Sequence, residues 1–196
     1  MKNYIIIILL LSCFVRFAAF GGDIVGKIKA KGAPNAGNTV IYIDKIEGKT
    51  FKPPAKALLM DQKDLTFYPH VLPVLVGTKV EFLNSDNVLH NVFSPDECTG
   101  KFNLGSWPKG QKRNFTFNKP CVAVMLCNVH PEMEAWVLAV ETPYYTVTDK
   151  NGNYTINDVP AGTYTLRVWN EKLKADNVKV TVPDKGNVTQ DFLIKK

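Results

Sequence analysis

The sequence predicts an all-β protein made of two β-sandwiches that follow an export signal. Short runs of β-branched and aromatic residues recur along the chain, and they either alternate with polar residues or run continuously. Turns containing Gly, Pro and Asn separate these runs at the spacing typical of sandwiches. No helical period extends beyond about two turns, and Ala55–Lys63 is the stretch that best accommodates a short helix.

The first 21 residues are predicted to be a signal peptide and not part of the fold. Lys2 precedes an apolar run that is too short to span a bilayer, and Ala19-Phe20-Gly21 places small residues where a signal peptidase cuts. An alternative interpretation takes Leu10–Cys13 as a lipobox, with a lipid anchor at Cys13. Both interpretations predict an exported protein, in the periplasm or another oxidising compartment, without a transmembrane segment.

The charge distribution argues against nucleic-acid binding. The chain has 24 Lys and Arg against 18 Asp and Glu, which gives a formal net charge of +6. The basic residues are scattered and form no stripe, so an acidic protein partner fits them better than a nucleic acid does.

The C-terminal region, residues 142–196, carries the pattern of a small sandwich. Thr148–Tyr154 is a turn rich in Asp, Asn and Gly between two strand-like runs, and Val159–Val168 adds a Pro-Ala-Gly turn followed by a strand. These segments resemble the carboxypeptidase regulatory-like (transthyretin-like) β-sandwich family. That family opens with a strand of the form Gly-x-Val-x-Gly, and no such strand lies just before Thr146.

A matching opening strand lies instead at the start of the mature chain, at Asp23–Ile28, followed by a Gly- and Pro-containing turn and a second strand. We therefore expect residues 22–49 to belong to the transthyretin-like sandwich of residues 142–196, with a domain of residues 50–141 inserted between them. The alternative is two domains in tandem, in which the N-terminal strands form an edge of the first.

The middle segment carries a cluster of metal-binding residue types. Cys127, His130 and Met133 lie within seven residues, and together they offer a thiolate, an imidazole and a thioether. Soft sulfur ligands select copper, and a trigonal site of two His and one Cys with a weak axial Met is the arrangement of blue copper centres. His90, at the end of a strand-like run, is the candidate for the second imidazole.

These residues stand in a segment that resembles the cupredoxins of the amicyanin and plastocyanin type, over roughly ninety residues of Greek-key β-sandwich. The short Cys-x-x-His-x-x-Met spacing is amicyanin-like, and upstream the runs Phe67-x-Pro69 and Val74–Asn84 agree with the family. The resemblance implies metal ligands at His90, Cys127, His130 and Met133. It also implies that Asn91 holds the two ligand loops together and that His130 is the more exposed imidazole, where electrons enter.

The sequence leaves two possible roles each for the pair Cys98 and Cys121 and for His70. Cys98 and Cys121 are expected either to form a disulfide or to stay as two free thiols. His70 is expected to be a structural imidazole bonded to backbone, with an additional metal ligand as the alternative. The strand Val122–Leu126 is apolar on both faces, so the face opposite Cys127 is expected to pack on the transthyretin-like domain or on a partner.

The cupredoxin resemblance implies one type 1 copper per chain and one-electron transfer between a protein donor and a protein acceptor, without enzymatic activity. Two of the three histidines belong to the copper site, which leaves too few for a second, multi-histidine catalytic centre. Two alternatives stay open. One is a copper carrier or delivery protein, although Met- or His-rich tracts are missing from the sequence. The other is a cell-surface binding or scaffold module in which copper is accessory.

Overall fold

A computed structural model describes residues 21–196, so residues 1–20 of the predicted signal peptide and the alternative lipid site at Cys13 lie outside the described residues, and Gly21 is the first residue of a strand. In this range the chain forms β-strands and one short 3₁₀ turn, Glu97–Thr99, and none of the described residues is in an α-helix. The predicted all-β class with two sandwiches is therefore confirmed. Within residues 21–196 no helix has the length and apolar character needed to cross a membrane.

The strands in the first half are β1 Gly21–Lys31, β2 Val40–Ile43, β3 Leu58–Lys63, β4 Thr66–Tyr68, β5 Val71–Leu75, β6 Lys79–Asn84, β7 His90–Phe93, β8 Asn103–Trp107 and β9 Lys112–Thr116. Those in the second half are β10 Cys121–Leu126, β11 Glu134–Val140, β12 Tyr145–Val147, β13 Asn153–Pro160, β14 Gly162–Trp169, β15 Val178–Val182, β16 Val188–Thr189 and β17 Phe192–Lys195. The short helix that 55–63 could accommodate does not form, because β3 buries alternate residues, Met60 and Gln62, in the strand period.

The middle segment folds into a sandwich of two sheets. One sheet has the strand order β5-β11-β10-β7-β8, and the other has the order β4-β3-β6-β9. Alternate residues of β3, β6 and β10 point inward, and the two inner faces bury one continuous core. Its largest members include Met60, Phe67, Phe82, Trp107, Phe117 and Met125.

The terminal segments build a second sandwich with its own core. The long strand β1 pairs antiparallel with β13 and parallel with β16 and β17, and the other sheet has the order β12-β2-β14-β15. Ile24, Ile28 and Ile41 from the N-terminal strands lie in one core with Leu166 and Ile194. Because β1 and β2 pair with strands from residues 145–195, we propose the insertion topology, with residues 22–49 and 142–196 as one domain around residues 50–141.

The two sandwiches meet over the outer face of β11 and β5. Val40 from the terminal sandwich packs in one apolar cluster with Val71, Leu138 and Val140 from the middle one. The rings of Trp136 and Trp169 complete this junction, with their centroids 5.4 Å apart. The junction buries the strand next to β10 and only part of β10 itself.

The expected cover over the outer face of β10 is therefore incomplete. Cys121, Ala123 and Met125 face the core as the alternation predicts, but Val122 on the opposite face remains 40 % exposed. The terminal sandwich sits over β11 and β5, where Trp136 and Leu138 point outward into the junction. Among the described residues, the terminal sandwich covers the valine face of β10 only in part.

His70 connects the two sandwiches, in agreement with the structural role expected for it. Its Nδ1 lies 3.2 Å from the backbone carbonyl oxygen of Glu134, and its Nε2 lies 2.7 Å from Oε2 of Glu171 on the terminal sandwich. Glu171 also pairs with Lys172. Burial acts to raise the pKa of Glu171, but the hydrogen bonds and charges of Lys172 and His70 outweigh it and hold the pKa below its ordinary value.

We expect Glu171→Gln to lower the free energy of unfolding by about 0.5–1 kcal/mol at neutral pH, the range of partly exposed ion pairs. A carboxylate with a depressed folded-state pKa stabilises the protein above its unfolded pKa, and this contribution is lost as pH falls through the folded pKa. Urea denaturation of both proteins across the acid range should therefore show the difference shrinking to zero. Glu47→Gln, in the exposed Lys45–Glu47 pair, is the matched control and should change nothing measurable. A Glu171→Gln effect that stays constant down to strongly acidic pH would contradict the electrostatic origin.

Candidate metal centre

The four predicted ligands come from two neighbouring strand ends of the middle sandwich. His90 is the first residue of β7, and Cys127 directly follows β10. His130 and Met133 lie on the turn that leads from β10 into β11, and this turn is closed by a hydrogen bond from Met133 N to His130 O, 3.0 Å long. Because only two residues separate each ligand from the next, this turn keeps His130 and Met133 near the end of β10.

Three of these side chains converge. The ligand atoms of His90, Cys127 and His130 all lie within 4.8 Å of one another. The two Nδ1 atoms of the histidines are 3.1 Å apart, and Cys127 Sγ lies 4.0 Å from His90 Nδ1. Such spacing allows one small ion to be bound by all three donors at once.

The centre is closed on its inner side and open at one point. His90 is fully buried and Cys127 is 3 % exposed, whereas His130 is only partly buried. Met133 is 1 % exposed and belongs to the same apolar core as Cys127. Burial of the other ligands keeps water away from the site, which favours a tightly bound ion. The partly buried His130 imidazole is then the ligand through which the ion is connected to the protein surface.

Asn91 ties the two ligand segments together. Its backbone N–H donates to Cys127 Sγ at 3.4 Å, and its side-chain Oδ1 accepts from Asn128 N at 3.2 Å. Its Nδ2 donates to the backbone oxygen of Gly105 at 2.8 Å and to Asn103 Oδ1. These four bonds match the role that the family resemblance implies for Asn91.

Asp86 is a contact of the site that the sequence did not single out. Its Oδ2 lies 2.8 Å from His90 Nε2, on the side of the ring away from the other ligands. Burial acts to raise the pKa of Asp86, but hydrogen bonds from the backbone N–H groups of Leu65 and Asp64 and from His90 hold it below its ordinary value. The only sequence signal was a carboxylate four residues before a candidate ligand, which is too common to be specific.

The remaining cysteines form a disulfide, so the first of the two expectations is confirmed. Cys98 and Cys121 are bonded, with their Cα atoms 5.7 Å apart, and Cys127 is the free cysteine among the described residues. The bond joins the 3₁₀ turn between β7 and β8 to the first residue of β10. Cys127 therefore remains available as a thiolate ligand even in an oxidising compartment.

The residues present fit a copper ion by the chemistry of their donors. The three clustered donors are two imidazoles and a thiol, without a carboxylate among them. Hard ions such as Mg²⁺ and Ca²⁺ prefer oxygen ligands and are disfavoured at such a cluster. Thiolate and imidazole also suit zinc, whereas a thioether ligand supplied by the nearby, buried Met133 would favour copper.

One family model and several solved structures match parts of this chain. The family model of the carboxypeptidase regulatory-like domain matches residues 131–195 and so begins inside the ligand loop, eleven residues before the expected boundary at 142. A search of curated proteins finds no match.

Several solved structures match about half of the chain or less. A reduced tryptophan-to-tyrosine variant of amicyanin is 24 % identical over 44 % of this chain and 84 % of its own, with a TM-score of 0.42. An oxidised proline-to-alanine variant of amicyanin is 25 % identical over 42 % of this chain and 81 % of its own, with a TM-score of 0.41. A copper-containing nitrite reductase from Thermus scotoductus SA-01 is 25 % identical over 51 % of this chain and 25 % of its own, with a TM-score of 0.41.

Proposed function

We propose that this chain is an exported type 1 copper protein that passes single electrons between two redox protein partners. The proposal assigns His90, Cys127 and His130 as the principal ligands and Met133 as the weak axial ligand. The observation that carries it is the convergence of two imidazole nitrogens and one thiol within 4.8 Å in a largely buried site. When bound, copper would supply one-electron redox chemistry, because it changes between Cu(I) and Cu(II) while the same residues hold it.

The protein's own residues hold these ligands in place for both oxidation states. Asn91 bonds to both ligand segments, and the hydrogen bond between Met133 N and His130 O closes the ligand turn. Pro131 stiffens the same turn by fixing one backbone dihedral. Ligands that are fixed before the metal changes charge do not have to rearrange, and this keeps electron transfer fast.

The partly buried His130 is the proposed point of electron entry and exit. Residues next to the ligands in the chain present apolar side chains to solvent, with exposed fractions of 44 % for Val88, 52 % for Leu89 and 45 % for Val129. Such side chains are able to pack against a partner and to exclude water around the imidazole. The hydrogen bond from Asn91 N to Cys127 Sγ and the apolar surroundings of the sulfur would set the reduction potential.

The same structure supports a carrier of electrons in preference to an enzyme. His70, the one histidine outside the cluster, is engaged by Glu134 and Glu171 at the domain junction. A second, multi-histidine catalytic centre therefore has no histidine to use on this chain. A role as the electron donor of a separate enzyme is consistent with this proposal.

Loading the purified mature protein with Cu(II) tests the proposal. We expect one copper per chain, an intense blue colour and a reversible one-electron wave in voltammetry, because a thiolate ligand gives a strong charge-transfer band. A colourless protein that holds only Cu(I) would favour a copper carrier instead, and a protein that binds no copper would favour a binding or scaffold module. Either of these two results would overturn the electron-transfer proposal.

A further inference from the structure

Asp86 is bound entirely by hydrogen-bond donors. Its Oδ1 accepts from Asp64 N at 2.8 Å, and its Oδ2 accepts from Leu65 N at 3.0 Å and lies 2.8 Å from His90 Nε2. An ionised carboxylate accepts hydrogen bonds and cannot donate them. The nitrogen of His90 that faces Asp86 must therefore carry a hydrogen.

This contact sets the direction of the hydrogen bonds across the centre. A neutral imidazole has one N–H, so a proton on His90 Nε2 leaves His90 Nδ1 with a free lone pair. That lone pair points toward His130 Nδ1, 3.1 Å away, which then donates in the metal-free protein. His90 Nδ1, which faces Cys127 and His130, therefore has its lone pair available to bind a metal ion.

Asp86 is itself held firmly before any metal binds. Its backbone N–H donates to Asn84 Oδ1 at 2.9 Å. The two backbone N–H groups that donate to its carboxylate belong to the two-residue turn between β3 and β4. In this turn Asp64 and Leu65 both have positive φ, of 54° and 56°. That conformation is typical of the primed hairpin turns, and it aims both N–H groups at the carboxylate. With its side chain 15 % exposed, Asp86 is largely shielded from competing water.

We infer that Asp86 is a positioning residue of the metal centre: it fixes His90 in the form protonated at Nε2 and makes His90 Nδ1 the stronger metal donor. The tautomer part of this inference concerns the metal-free protein alone, and the donor part rests on the proposed function. A carboxylate that accepts from the far nitrogen of a ligand imidazole raises the basicity of the near one, and losing such a partner typically costs about 10–100-fold in metal affinity.

Asp86→Asn is the informative substitution, because all three partners of the side chain are donors. An amide has only one acceptor oxygen: its NH₂ group faces Asp64 N if it takes the place of Oδ1, and it faces both Leu65 N and His90 Nε2 if it takes the place of Oδ2. Both orientations remove the negative charge that favours a proton on His90 Nε2. If it faces His90, the ring is driven to the Nδ1-protonated form, which cannot bind the metal through that atom. Asp61→Asn is the matched control. It removes the same charge from a carboxylate that is bonded to Ser85 and not to His90.

The first test is nitrogen-edited NMR of the histidine rings in the metal-free wild-type protein, where three histidines give an assignable spectrum. We expect His90 to be protonated at Nε2 and bare at Nδ1 in the wild type and in Asp61→Asn, and this preference to be weaker in Asp86→Asn, which has lost the carboxylate charge. A wild-type His90 that carries its proton on Nδ1 overturns the inference without any use of a variant. It does so whether or not the protein binds copper.

The second test compares the same proteins with copper. We expect Asp86→Asn to bind Cu(II) about 10–100-fold more weakly and to have a higher reduction potential, by about 59 mV for each tenfold loss that falls on Cu(II) alone. Asp61→Asn should match the wild type in both. Equal affinities and potentials for the two variants would overturn the donor role, whereas a wild-type protein that binds no copper would overturn the proposed function and leave the NMR result to decide the tautomer.

Discussion

Replacing Cys127 by serine is expected to abolish the blue colour and most of the copper binding while leaving the fold in place. The sulfur is the softest donor of the cluster, and a serine hydroxyl is neither soft nor ionised at neutral pH. The loss of affinity should exceed the roughly 10–100-fold that the loss of an outer hydrogen-bond partner costs. The fold should survive, with a stability change of about 1 kcal/mol, because the hydroxyl is able to accept the hydrogen bond that Asn91 N now donates to sulfur.

Absorption spectra and copper titrations of the purified variant measure this effect, and urea denaturation checks the fold. Met133→Gln is the matched control in the same loop. It keeps the thiolate and both imidazoles, so it should still turn blue on binding copper, with a lower reduction potential because an amide oxygen is a harder axial donor that favours Cu(II). A Cys127→Ser protein that remains blue would show that the ligand assignment is wrong.

Removing the disulfide is expected to lower the free energy of unfolding by about 3 kcal/mol, the size that loop-closure entropy predicts for its length. The bond spans 23 residues between Cys98 and Cys121 and closes the segment that contains β8 and β9. The double substitution Cys98→Ala with Cys121→Ala is preferable to either single one, since it leaves no unpaired thiol that would form new disulfides. Urea denaturation of the metal-free protein, compared with the wild type under the same conditions, measures the loss.

Copper binding should be unaffected by this double substitution. The loop that carries Cys98 keeps a second link to β10, because Asp96 Oδ2 accepts a hydrogen bond of 2.7 Å from Val124 N. Reduction of the wild type with a dithiol should reproduce the stability of the double variant, since Cys127 is not part of the disulfide. If the double variant unfolds at the same urea concentration as the oxidised wild type, the disulfide does not stabilise the fold.

Strand periodicity and ligand spacing made much of this molecule predictable. The two-residue period placed Cys121, Ala123 and Met125 on the buried face of β10, and the structure buries them. The ligand loop is so short that Cys127, His130 and Met133 have little freedom to separate. The sequence patterns also favoured grouping the N-terminal strand with the C-terminal sandwich, and the insertion topology that we propose rests on the pairing of β1 with β13, β16 and β17.

Contacts between distant parts of the chain were not predictable in the same way. The partner of His70 is Glu171, 101 residues away, and nothing local to either residue indicates the other. Asp86 acquired its meaning only when the β3–β4 turn supplied two N–H groups to its carboxylate. The terminal sandwich covers β10 only in part, because an apolar strand face indicates that a neighbour is needed but not which strand that neighbour covers.

The sequence by itself determined the all-β class, the position of the cysteine-histidine-methionine cluster and the families that the two regions resemble. These follow from side-chain period, turn chemistry and short spacings, all of which act over a few residues. The tertiary structure decided that His90 meets Cys127 and His130 within 4.8 Å, that Asp86 lies behind His90, and that the sandwiches meet over β11 and β5. Those outcomes depend on how two packed cores orient strands that are far apart in the chain, and side-chain packing fixes that orientation only once the whole fold is assembled.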